Sequence, residues 1–385
     1  MQTATPRRFY SLDALRGLAA IAVVLWHWRH FFRSPDDAAR RIVDVASMPL
    51  YPILFPFYTS GVRAVDLFFC LSGFIFHWLY AGRISDGTTS GREFLVLRFS
   101  RLYPLHLLAL LLVLAGQVTA AHLAGGYFIY ADNDVAHFVS HLVMAPPAAL
   151  GDSFNGPAWS LSVEVVLYAL FFYACRYLPS RALCAGLGIV AGLVLWPVYP
   201  LVARGLFGFF AGGATFLFYS ALIRRGVNPA RSVATLAALA WGATLAQMRA
   251  QWLDVSSDLG LLWASAGLFP VTVLALALLE TRRGTLGRRI AVLGDISYSS
   301  YLLHFPLQLA LLLGVTALGI HASYGSAWLL LAFLAVLAAL SLASYRCFEM
   351  PVQAALRERL AEARPTGRRE PAAPRSRGSR ARTAW

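Results

Sequence analysis

Lysine is absent from this chain of 385 residues, and all 33 of its basic residues are arginine. That bias follows genome composition and carries no mechanism. Charge of either sign is scarce: 14% of residues are charged, against about 25% in a typical soluble domain. With 58% hydrophobic residues and a mean hydropathy of +0.60, that scarcity excludes a soluble globular protein. A net charge of +14 does not point to nucleic acid, because the arginines sit at the ends of apolar blocks, where the positive-inside rule places them. Only four cysteines occur, Cys70, Cys175, Cys184 and Cys347. They make no Cys-x-x-Cys pair and no metal-ligand spacing, so they read as small packing residues and no metal is expected. No internal repeat is visible in the sequence, and no appended soluble domain is expected. The Arg7-Arg8 start precedes a span too long, and too interrupted by Asp13 and Arg16, for a cleavable signal.

What the chain does have is apolar blocks near 20 residues, the length that crosses about 30 Å of hydrocarbon. Spans are expected at roughly 10–31, 62–81, 102–122, 158–177, 182–200, 202–222, 231–250, 259–279, 295–319 and 325–347. The expected architecture is an all-α membrane bundle of about ten helices. A cytoplasmic N-terminus gathers Arg83, Arg92, Arg98, Arg101, Arg181, Arg224, Arg225, Arg282, Arg283, Arg288 and Arg289 in inner loops, leaving chiefly Arg29, Arg33, Arg40, Arg41, Arg204 and Arg249 outside. Both termini are therefore expected in the cytoplasm. Residues 1–351 form the membrane domain, and 352–385 an Arg/Pro-rich tail expected to be disordered and able to touch anionic lipid. Two long outer connections, 32–61 and 123–157, are candidates for lids or for solvated connectors.

The first block carries Arg16 and, eleven positions later, His27. At about 100° per residue, eleven steps return to within roughly 20° of the starting direction, so the two share a helix face. An arginine inside a bilayer costs about 2.5–3.5 kcal/mol on insertion scales, which argues for use of the charge. The alternative is an Arg16 that snorkels to the interface and only sets topology. Asp13 can pair with Arg16 at i,i+3. Histidine can accept a hydroxyl proton or carry a transferred group near neutral pH; His30, one turn on, is a weaker candidate.

Arg98 and Arg101 present two guanidinium forks on one face, suited to a phosphate arriving from the cytoplasm or to a plain interfacial anchor. Glu164, two turns into the span that opens at Trp159, needs a partner, and Arg16 or His27 is expected to supply it. Asp66 raises the same question in the second span, where Ser72-Gly73 also permits close helix approach. His304 lies in mid-span, two residues before Pro306. Next to Tyr345, Arg346 and Glu349 are expected to form an i,i+3 pair that caps the bundle.

These segments together resemble acyltransferase family 3, the integral-membrane O-acyltransferases of bacterial surface glycans and some secondary metabolites. The resemblance runs from Leu12-Asp13-Ala14-Leu15-Arg16-Gly17 and the Arg16/His27 pair through Asp66–Phe74, Arg98/Arg101 and Trp159-Ser160-Leu161-Ser162-Val163-Glu164. It continues to Ile296–Pro306 and Ser344–Pro351. It implies a ten-helix bundle of the bacterial inner membrane that moves an acyl group, usually acetyl, from cytoplasmic acyl-coenzyme A to a hydroxyl of a glycan or lipid-linked glycan. No permanently bound cofactor is implied. His27 would be the catalytic histidine and Arg16 its partner, with Glu164 beside them. Arg98 and Arg101 would meet the coenzyme's phosphates, with Asp13, Asp66, Ser72, His304, Tyr345 and Arg346 in support. Val165 stands where the family often has a second acid, which puts a carboxylate pair in doubt. Arg16 and His27 are expected to line one cavity open to the thioester, Arg16 or a nearby N–H donor serving as oxyanion stabiliser. Two other readings are a transporter or flippase that uses the same buried charges, and an acyltransferase for a secondary metabolite.

Overall fold

The computed structural model describes residues 6, 8–33, 45–151, 153–250, 252 and 257–362. Among these the chain is helical, with no strand. In order come α1 (Tyr10–Trp28), α2 (Tyr51–Ser85), α3 (Gly91–Ala124), α4 (Val135–Leu142), α5 (Gly156–Tyr177) and α6 (Arg181–Leu195). They are followed by α7 (Pro200–Arg224), α8 (Ala230–Arg249), α9 (Asp258–Arg283), α10 (Ser297–Ala317) and α11 (Ala327–Arg359). Seven of them, α2, α3, α5, α7, α9, α10 and α11, are long and apolar enough to cross a membrane. The chain is a multi-pass membrane protein. Helices also stand at the other three expected spans. Of these, α6 has only 15 residues, about 22 Å of rise. The other two are diluted, α1 by Asp13 and Arg16, and α8 by alanine, threonine and glutamine.

Three expected boundaries move. The connection at 32–61 is helical from Tyr51 onward, because Pro52 in the first turn lacks only an N–H that a helix start leaves unbonded; residues 34–44 lie outside the described residues. The cytoplasmic-loop arginines Arg98 and Arg101 lie inside α3, which Ser90 caps by accepting the Glu93 N–H at 3.1 Å. The expected tail boundary at 352 falls within α11, and residues 363–385 lie outside the described residues. Cys70, Cys175 and Cys184 are buried, whereas Cys347 is exposed.

Close approach of backbones holds the centre. A Cβ on Gly73 would lie 1.7 Å from the Phe209 carbonyl oxygen, and one on Gly212 would lie 1.9 Å from that of Cys70. Only glycine fits at either place, and the pair lets α2 and α7 lie backbone to backbone. The same device docks the turn Val292–Asp295 on α1: a Cβ on Gly17 would meet Leu293, and one on Gly294 would meet Asp13.

Candidate active site

The start of α1 has no side-chain cap of its own. Glu280, buried near the end of α9, supplies one from outside the helix. Its carboxylate accepts the Tyr10 and Ser11 backbone N–H groups at 2.8 Å each and the Ser11 hydroxyl at 2.6 Å. A carboxylate at a helix N-terminus satisfies orphan donors and complements the dipole. Beside it, Arg8 bridges Asp13 at 2.6 Å and Asp295 at 2.7 Å. Arg16, buried, approaches Asp13 at 3.7 Å and donates through Nε and Nη2 to the Gly294 carbonyl. Gly17 allows that carbonyl to come so close. Arg16 is thus a placed internal cation with one partner on its own helix and another supplied by a distant turn.

Arg16 forms part of the wall of a cavity of about 90 Å³ that also includes Ser72, Arg98, Arg101, Glu164, Tyr168, Tyr298 and Tyr301. By its space for water, such a cavity holds several molecules. Arg98 donates to the Tyr80 hydroxyl at 2.6 Å, and its guanidinium lies 4.8 Å from that ring and 5.0 Å from Phe76. Glu164 does not pair with His27. It accepts the Tyr168 hydroxyl, one turn along its own helix, with the Ser72 hydroxyl and the two α3 guanidiniums beside it. The shared cavity anchors it there, at the opposite end of α1 from His27.

His27 is at the other end of α1, half-buried, and it does not line this cavity. Arg16 and Tyr301 line this cavity and His27 does not, so the expected chamber shared by Arg16 and His27 is not seen. The Tyr301 side chain is held by the Pro157 carbonyl at 2.6 Å and the Ser160 hydroxyl at 2.7 Å, with His304 one turn further along α10. Eleven residues at about 1.5 Å rise separate Arg16 from His27 by roughly 16 Å, so Arg16 cannot stabilise an oxyanion formed at His27. His27 instead meets His304: its Nδ1 lies 3.0 Å from the Val23 carbonyl and 3.1 Å from His304 Nε2, the rings stacked at 4.8 Å. His304 Nδ1 lies 2.7 Å from the Tyr301 carbonyl. Gln308, one turn beyond His304, donates to the His27 carbonyl at 2.9 Å and accepts from His30 Nδ1 at 2.9 Å.

The connection after α3 covers this cluster. Phe128 and Tyr130 pack edge-on to the His30 ring at 6.3 and 6.0 Å, while α4 brings His141 into the fold. His141 Nε2 lies 3.0 Å from the Ser153 hydroxyl, and its carbonyl accepts from His106 at 2.8 Å. Burial, with His106 adding to it, pushes the His141 imidazole down to about 4.

Asp66 and Glu349 have partners that sequence reasoning did not name. Asp66 receives both Nε and Nη2 of Arg204, at 3.0 and 2.9 Å, and Arg63 stands at 3.8 Å. Arg204 is therefore an internal cation of α7 stacked at 5.4 Å over Trp159, and not an outer-loop charge. The expected Arg346–Glu349 pair does not form. A π-helical turn over Tyr345–Glu349 widens the local spacing, leaving Arg346 exposed beside Tyr345 while Glu349 is buried and accepts from Ser299 and, at 3.3 Å, Ser344. Sequence reasoning missed Gln308, Glu280 and Arg204. A polar side chain at i+4 from His304 was a readable signal for the first; nothing local marks the other two.

A family model described as an acyltransferase domain matches residues 9–346. The chain belongs to that family, acyltransferase family 3. It is 31% identical over 185 residues to "Protein 2 in picA locus" of Rhizobium radiobacter, covering 44% of this chain and 84% of that protein. It is 32% identical over 199 residues to "Acyltransferase MdmB" of Streptomyces mycarofaciens, covering 49% of this chain and 46% of that one. No solved structure matches.

Proposed function

From membership of that family we propose an integral-membrane O-acyltransferase. It moves an acyl group, acetyl by preference, from acyl-coenzyme A to a hydroxyl of a cell-surface polysaccharide or related glycan. We place it in a bacterial inner membrane, crossing ten times with both termini cytoplasmic. One arrangement supports this reading above all. Arg16, Arg98 and Arg101 line one cavity, while the helix that carries Arg16 ends in an imidazole whose Nδ1 faces a backbone carbonyl. Guanidinium forks suit the donor's phosphates, and an imidazole with one nitrogen occupied offers the other as a base.

In this reading Arg98 and Arg101 hold the coenzyme, Glu164 balances their charge, and Arg16 binds the donor arm as it runs toward Tyr301 and the histidines. At His27, Nε2 takes the proton of the acceptor hydroxyl as its oxygen bonds to the thioester carbonyl carbon. The carbon–sulfur bond then breaks, and the proton passes from Nε2 to the leaving thiolate, giving an ester and a free thiol.

The test uses inverted membrane vesicles carrying the full chain, supplied with acetyl-coenzyme A labelled in the acetyl group. Release of free thiol and label in membrane glycan are expected for the wild type. Both should fall to background in His27→Gln, with the variant's thermal unfolding unchanged. Label transfer in His27→Gln equal to wild type removes the catalytic assignment; an inert wild type removes the donor.

A further inference from the structure

The Val23 carbonyl and His304, itself set by the Tyr301 carbonyl, together determine which nitrogen of His27 is bare. A carbonyl only accepts, so the 2.7 Å contact of His304 Nδ1 with the Tyr301 carbonyl puts the proton on that nitrogen. His304 Nε2 is then a lone pair, and it points at His27 Nδ1 from 3.1 Å. The Val23 carbonyl, 3.0 Å from the same Nδ1, likewise only accepts. Both contacts ask for one and the same proton, the His27 Nδ1–H. The neighbour agrees: Gln308 spends its amide N–H on the His27 carbonyl, so its oxygen accepts from His30 Nδ1. Three imidazoles thus share a tautomer, each enforced by an acceptor that cannot be reversed without breaking a second bond.

We propose that His304 is the positioning residue for His27, accepting its Nδ1–H so that Nε2 is left as the nitrogen that receives the acceptor hydroxyl's proton. The proposal rests on the catalytic reading of His27 given above. When Nε2 takes that proton, the imidazolium's second N–H already has a partner, and the ring cannot rotate to lose it. The carboxylate of a serine-protease triad does the same for its histidine, holding the tautomer and supporting the cation. Here the acceptor is neutral, which suits a site inside the membrane domain: a second ion would need its own partner, whereas a buried imidazole fixed by a backbone carbonyl does not. Pro306, two residues beyond, fits the same picture. A proline at that position has no N–H for the Leu302 carbonyl one turn back, which Asn155 reaches at 3.4 Å, and His304 itself is fully buried between Tyr301 and His27.

Two measurements test this. The first does not depend on catalysis. Histidine-labelled ¹⁵N spectra of the wild-type chain in lipid nanodiscs, assigned by the signals lost in His27→Gln and in His304→Gln, should show both rings protonated at Nδ1 and bare at Nε2. Either ring protonated at Nε2 overturns the proposal. The second is kinetic, on the full chain in vesicles with acetyl-coenzyme A. His304→Leu should lower kcat about 100-fold, in the range of a lost acid–base contribution, with KM for acetyl-coenzyme A within twofold of wild type. His304→Gln, which keeps an acceptor oxygen near the same place, should recover at least tenfold over the leucine variant. A glutamine variant no better than leucine makes His304 a packing residue and ends the proposal. A wild type that fails to use acetyl-coenzyme A sinks the proposed function instead, and the spectra alone then decide whether the tautomer chain exists.

Discussion

At its first turns α1 is surrounded by ions, and at its last turn by imidazoles. Around Arg16 every charge has a counter-charge or a dipole: Arg8 with Asp13 and Asp295, Arg16 with the Gly294 carbonyl, Glu280 with two backbone N–H groups. Around His27 the imidazoles are each tied to a carbonyl or an amide, with Arg29 and Arg33 close by. An ion inside a low-dielectric bundle is tolerated only when paired. A neutral imidazole needs only one hydrogen bond, and its second nitrogen is left for chemistry. The first arrangement suits holding a charged ligand, and the second suits moving a proton.

The contrast breaks most sharply at Arg16. In Arg16→Gln, Arg8 still holds Asp13, so the fold should survive with thermal unfolding near wild type. The cavity loses a cation and the Gly294 carbonyl loses a charge-assisted partner, and kcat/KM for acetyl-coenzyme A should fall about 100-fold. A fall below threefold would return Arg16 to a topology anchor. Next comes Arg101→Gln, which separates binding from proton transfer. It should raise KM for acetyl-coenzyme A about tenfold while kcat changes less than threefold. A drop in kcat with unchanged KM would move the phosphate contact elsewhere.

The smallest effect is expected at the cover over the imidazole end. His141 is held neutral at about 4 in the fold, against about 6.5 when free. Between those values only the undocked form binds the proton. Docking of the connection is therefore at full strength above about 6.5 and weakens as pH falls toward 4. Amide exchange across 125–151, corrected for intrinsic rates, should accelerate between pH 7 and pH 5 more in wild type than in His141→Gln. Equal pH dependence in the two would show that His141 does not hold the cover.

Much of the helical layout was readable because it depends on one helix at a time. Apolar length gave the helices, and the 100° step put Arg16 and His27 on one face. Partners were another matter. Glu164 had two candidate partners in the sequence, Arg16 and His27, and only the packing of α5 against α2 and α3 set it beside Ser72, Arg98 and Arg101. Arg204 looked like a loop charge because a helix end and a loop have the same local composition; its bidentate contact with Asp66 comes from 138 positions away. The Arg346–Glu349 pair failed because i,i+3 arithmetic assumes α-helical spacing, and a π turn intervenes.

By itself the sequence determined a multi-pass helical protein of acyltransferase family 3, a cation and an imidazole on one face of the first helix, and an arginine pair at one end of the third. These follow from periodicity and composition, which act over a few turns. Tertiary structure alone decided that Tyr301 and not His27 lines the cavity with Arg16, that Glu280 caps α1, and that His304 meets His27 across 277 positions. The reason is geometric: hydrogen bonds act over about 3 Å, and no local pattern says which distant helix will bring its side chain within that reach.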